Sequence, residues 1–102
     1  MKITTMFSNE NTVFIINIEG DFNFSQLHEF KKSYSDIETL KDKKIIVDLR
    51  NTLTVDSSAL GMLLNLQTEL SKQDQEIEII NSNDVVRKIF HITNFEKKFS
   101  IK

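Results

Sequence analysis

The triplet Asp56-Ser57-Ser58 holds the residues whose types and spacing best suit chemistry. A short polar loop precedes it, and the run Ala59-Leu60-Gly61-Met62-Leu63-Leu64 follows, apolar enough to open a packed helix. A helix mouth carries unpaired backbone N–H groups and the positive end of the macrodipole, so it readily holds an anion, phosphate included. A serine there has two uses: it caps the helix by accepting a backbone N–H, or it accepts a phosphoryl group and acts as a switch.

Other chemistries lack their parts. Ser57 with His28 or His91 satisfies a catalytic triad by composition only, and no Gly-x-Ser-x-Gly elbow exists. Neither histidine has a second ligand three or four residues on, so no metal site is expected. With two glycines in the chain, a glycine-rich phosphate loop is absent, and with no cysteine there is no disulfide, thiolate ligand or thiol nucleophile. The expectation is a protein that is not an enzyme and uses neither metal nor cofactor.

The bulk composition agrees with a regulatory or binding role. One hundred and two residues make one domain, spanning 1–102 and able to bury about two-thirds of its unfolded surface. Charged residues at 27% beside apolar ones at 39% describe a globular chain rather than a disordered one. A net charge of −2 argues against nucleic acid, which needs clustered Lys and Arg; the basic runs at 41–44 and 97–98 are short and flanked by acids. No apolar stretch suits a signal peptide or a membrane span, so a cytoplasmic protein with no membrane insertion is expected.

The elements that must position the triplet follow from periodicity. Alternation predicts strands over 2–7 and 12–18, joined by the turn Ser8-Asn9-Glu10-Asn11. Leu27, Phe30, Tyr34 and Ile37 recur at helical spacing, with Asn23 and Gln26, or Ser25 alone, as the cap. A strand over 44–49 leads through the polar loop to a helix over 57–71, whose stripe is Ala59, Leu63, Leu66 and Leu70. A strand over 76–80 and a helix opened by Ser82-Asn83-Asp84 follow, with Val85, Val86, Ile89 and Phe90 facing inward, then a turn and one more short element. Acids on one face of the central strands place the helices mainly on the other. Two strand–helix–strand units imply parallel pairing with right-handed crossovers. The predicted fold is α/β: a four- to five-stranded mixed β-sheet with helices packed mainly on one face.

The succession of strand, Asp48-Leu49, short loop, Asp56-Ser57-Ser58-Ala59-Leu60-Gly61 and apolar helix closely resembles the STAS domain, typified by bacterial anti-sigma-factor antagonists. The likeness covers essentially the whole chain. It includes Gly20-Asp21-Phe22-Asn23, the stretch from Asn81 to Ile89, and Ile92-Thr93-Asn94-Phe95. It implies that Ser57 is the phosphoacceptor, with Ser58 a possible second site. It also implies a partner switch: the unmodified domain binds an anti-sigma factor or serine-protein kinase with a histidine-kinase-like ATPase fold, phosphorylation releases it, and a PP2C-type phosphatase resets it. The partner surface would draw on Asp21, Phe22, Asn23, Phe24, Asp56, Ser57, Ser58, Gly61, Met62 and Asn65. The chain departs from the family pattern in three places. Asn23 stands for the usual aspartate near the phosphoacceptor, Ala59 for a common glycine, and Asn94 for a glycine in a turn that asks for a left-handed residue.

Each of these residues also has a structural account. Ser57 or Asp56 caps the helix, Ser58 shares in that capping, and Gly61 packs closely on a strand. Met62 and Asn65, opposite the Leu63 stripe, are interface or simply solvated, and Phe22 and Phe24 are partner contacts or core. A second functional reading follows from this account: a constitutive accessory subunit of a membrane transporter ATPase complex, in which Ser57 is only a cap.

Overall fold

Strand β2 (Val13–Phe22) organises the fold, because it has three neighbours. Strand β1 (Lys2–Ser8) pairs with it antiparallel along its whole length. On its other edge, Val13 to Asn17 pair in parallel with β3 (Lys44–Asp48), and Gly20 to Phe22 then pair in parallel with β4 (Thr52–Val55). The computed structural model of the protein describes residues 2–71 and 75–102. Within them the sheet has six strands: β5 (Ile77–Ile80) pairs parallel with β3, and β6 (Ser100–Ile101) parallel with β5.

Two of these features differ from expectation. Strand β2 continues four residues beyond the predicted end, through a bulge between Gly20 and Asp21 where Gly20 takes φ 85°. The segment expected to be a polar loop before the triplet is strand β4. Its threonines look polar, yet Thr52 and Val55 are buried, and the Thr52 hydroxyl donates to the Ile18 carbonyl at 2.7 Å. Paired β-branched residues at an edge explain the strand.

The helices are α1 (Leu27–Ser33), α2 (Ile37–Leu40), α3 (Ser57–Ser71) and α4 (Asp84–Ile92). The stripe Leu27, Phe30, Tyr34, Ile37 is therefore split between two short helices. The Ser33 and Ser35 hydroxyls donate to the Phe30 and Lys32 carbonyls, and Asp36 caps a new start by accepting from Thr39. Such side-chain bonds compete with helix continuation.

Burial alternates along the strands as the one-sided arrangement requires. Phe14, Ile16 and Ile18 of β2, Ile45 and Val47 of β3, Leu49 just after it, and Ile77 and Ile79 of β5 are buried against the helices. Their neighbours Ile15, Asn17, Ile46 and Asp48 remain half-exposed on the other face. Among the described residues Glu78 of β5 is buried on that face, between Lys102 at 2.8 Å and Lys44 at 3.5 Å. The Lys102 ammonium holds its carboxyl below the usual carboxylate range. Helix α3 buries Ala59, Leu63, Leu66 and Leu70 as predicted. In α4, Val86 and Phe90 are buried and Ile89 packs at the margin, but Val85 is 57% exposed, because it lies a residue off the inward stripe.

Candidate functional site

The β2–β4 pairing sets the site. Phe22 stands beside Val55 in the register, and the Asp56 N–H donates to the Phe22 carbonyl at 3.4 Å. The turn after β2 is thereby fixed next to the mouth of α3, so the segment 21–24 and the triplet 56–58 share one edge of the molecule.

At that mouth the cap is Asp56. Its Oδ1 accepts the Ala59 N–H at 2.9 Å, while its own carbonyl accepts the Leu60 N–H. Ser57 follows as the first helical residue. It is exposed, and its hydroxyl makes no hydrogen bond among the described residues. The alternative in which Ser57 serves as the cap is thus corrected: capping needs an acceptor aimed back at the third helical N–H, and Asp56 already supplies it. Ser58 is half-buried at the edge of a cleft. The first turn of α3 contains no acidic residue, so the positive end of this 15-residue helix has no counter-charge beyond its cap.

The facing turn is built by Asn23. Its Oδ1 accepts from the Ser25 N–H at 2.9 Å and the Ser25 hydroxyl at 2.7 Å, and its N–H donates to Gln26 Oε1 at 2.8 Å. This reciprocal box opens a 3-10 turn (Phe24–Gln26) that leads into α1. An amide oxygen performs the acceptor work a carboxylate would, without adding a negative charge beside the triplet. Asp21 is exposed, and Phe24 projects with 66% of its surface free.

Two expected surface residues stand elsewhere. Phe22 is fully buried, its ring 5.2 Å from that of Phe30, because the β2 alternation turns it into the core. Met62 is 5% exposed and packs toward the core on the floor of the cleft instead of presenting a free face. Gly61 packs on no strand: it is exposed, and a Cβ there would meet nothing within 4 Å. Asn65 is half-buried on the cleft wall.

The cleft itself was not foreseen. It lies between α1 and α3, has a volume of about 440 Å³, and shares Lys31, Tyr34 and Asn65 with an adjoining hollow that reaches Glu69. The sequence marked Tyr34 only as part of a core stripe, and nothing in its spacing reveals where the hydroxyl points. Among the described residues no cluster of three His, Cys, Asp or Glu side chains is placed to hold a metal. His91 instead pairs with Glu96 at 3.0 Å on the surface, and His28 is exposed on its own helix.

With this geometry in place, known proteins can be compared. The STAS domain family model matches residues 6–102. The chain belongs to the STAS domain family. A STAS-domain containing protein of Pseudomonas aeruginosa (strain UCBPP-PA14) is 38% identical over 101 residues, spanning 99% of this chain and 99% of that protein. An anti-sigma-B factor antagonist of Staphylococcus aureus (strain NCTC 8325 / PS 47) is 20% identical over 96 residues, covering 94% of this chain and 89% of the relative. In three dimensions the Bacillus cell fate determinant SpoIIAA in its phosphorylated form is similar, with a TM-score of 0.74 at 17% identity over 99% of this chain and 91% of that one. At that identity the likeness establishes the STAS fold alone. Within this STAS domain, Asn94 adopts φ 59°, the left-handed conformation expected of that turn.

Proposed function

We propose that this STAS domain is a phosphorylation-controlled partner switch of the anti-sigma-factor-antagonist type, acting in the cytoplasm without catalysis of its own. The unmodified form binds a serine-protein kinase or anti-sigma factor with a histidine-kinase-like ATPase fold. That partner transfers the γ-phosphoryl group of ATP to Ser57 Oγ, which loses its proton, and ADP departs. A PP2C-type phosphatase hydrolyses the ester and restores the hydroxyl.

The observation that carries this reading is the exposed, uncommitted Ser57 hydroxyl at a helix mouth whose capping is already done by Asp56. Phosphorylation adds about −1.5 to −2 charge at neutral pH. At ~6 Å from a partner carboxylate, with an effective dielectric of ~20, the repulsion is on the order of 5 kcal/mol before salt screening. A third of that is already more than tenfold in affinity. The same dianion sits at the positive end of α3, so the fold tolerates what the interface does not. The relative from Staphylococcus aureus, named an anti-sigma-B factor antagonist, supports the partner class.

Incubation with the cognate kinase and ATP is the test. One phosphate on Ser57, mapped by mass spectrometry of the intact chain and its peptides, is the expected result. Modification confined to residues outside 57 and 58 overturns the proposal.

A further inference from the structure

From the cleft between α1 and α3 we infer that this domain also binds a small amphipathic carboxylic acid, in a site that shares Phe24, Ser58, Gly61, Met62 and Asn65 with the expected partner surface. Its walls are apolar over most of their length, formed by Phe24, Leu27, Phe30 and Met62. A volume of about 440 Å³ falls within the range of ligand pockets. Along α3 it runs from Ser58 to Asn65, which at the helical rise is about 10 Å, roughly the reach of an eight-carbon chain.

Three side chains that line both the cleft and an adjoining hollow, Lys31, Tyr34 and Asn65, can each donate a hydrogen bond. Tyr34 is 4% exposed, yet its hydroxyl has no hydrogen-bond partner among the described residues. Asn65 stands close enough to favour the phenolate, but no bond of good geometry joins the two, and burial raises the phenol above its ordinary pKa. A buried polar group left unpaired is costly, and a ligand oxygen accepting from it would remove that cost. Lys31 lines the same two hollows. A phenol, an ammonium and an amide together suit a carboxylate, which accepts from all three. Glu69 lies in the adjoining hollow, near enough that its charge also raises the Tyr34 phenol, so the Lys31 ammonium has to offset it when a carboxylate binds.

Gly61, on the same cleft wall, supplies a second sign. An exposed glycine inside a helix costs about 1 kcal/mol against alanine, and this one is required by no neighbour and no positive φ. Its missing side chain keeps the cleft wall open at mid-length. A leucine there would add volume where the apolar body of the ligand lies.

Sodium octanoate is the probe, titrated into the full chain and followed by amide chemical shifts and calorimetry. Saturable binding is expected, with shifts concentrated at Leu27, Gly61, Met62 and Asn65. Tyr34→Phe, which keeps the ring and the packing, should weaken binding about fivefold, the worth of one hydrogen bond. Gly61→Leu should abolish binding while raising thermal stability, since leucine is the better helix former. Octanol should bind at least fivefold more weakly than octanoate. Absence of saturation at millimolar octanoate, or affinities unmoved by both substitutions, overturns the site; equal affinity for octanol overturns the carboxylate. No kinase or partner enters this assay, so its result is independent of the switch.

Discussion

The mouths of α3 and α4 are made from the same local device and left in opposite states. Both begin with a capping side chain that accepts the third helical N–H: Asp56 from Ala59, and Asn83 from Val86 at 2.8 Å. At α4 the cap also holds the fold together, because Asn83 Nδ2 donates to the Thr52 and Leu53 carbonyls of β4. Its first helical residue is Asp84, an acid set on the positive end of the helix. At α3 the corresponding residue is Ser57, with no acid in the first turn. Each mouth thus carries one acid, but α4 sets it at the first helical position and is tied into the sheet. At α3 the acid is the cap itself, and the first helical position is left to a free hydroxyl, where a reversible anion can attach.

The sharpest way to break this contrast is to write a permanent acid at each mouth and measure binding. Ser57→Asp should weaken the kinase-type partner more than tenfold, whereas Ser57→Ala should stay within about threefold of the parent. Val85→Asp, an acid on the exposed second position of α4, should leave that affinity unchanged. Equal affinities for Ser57→Asp and Ser57→Ala, by calorimetry at fixed salt, would remove charge control from the proposal.

Stability separates the two caps in the other direction. Asn83→Ala loses the cap bond and both donations to β4, an expected cost of about 2 kcal/mol. Asp56→Ala loses one cap bond, about 1 kcal/mol. Urea midpoints at constant m-value measure both. If Asp56→Ala proves the more damaging, α3's mouth is no freer than α4's.

The sequence carried the outline of this molecule further than its details, and the failures have physical causes. The α3 stripe was legible because four buried apolar residues recur over a long helix, and the Asn23–Gln26 box because its two partners are three residues apart. Strand β4 was not legible: four residues with two threonines carry little periodic signal, and the strand exists because the overrunning end of β2 offers an edge to pair with. That overrun also explains Phe22, which reads as a loop aromatic until the strand's alternation turns it inward. The structural account of Gly61, close packing on a strand, fails for a different reason. A glycine in a helix announces that something is missing, but only coordinates say whether a neighbour or empty space takes the place of the side chain.

The smallest effect tests the premise beneath the rest, that α3 accepts an anion without cost to the fold. Placing an acid at position 57 gives α3 the first residue that α4 already has, so Ser57→Asp should stabilise the chain by about 0.3–1 kcal/mol at low salt. Asp56, next to it, offsets part of this gain, which puts the expectation at the lower end of that range. Asp84→Ser, the reverse exchange at α4, should cost a similar amount, and both differences should shrink as salt rises. Thermal unfolding of the two variants beside the parent, at two salt concentrations, reads all four values. A marked loss of stability in Ser57→Asp would mean that the helix end repels the charge it is supposed to hold, and phosphorylation at that position would then unfold the domain instead of releasing a partner.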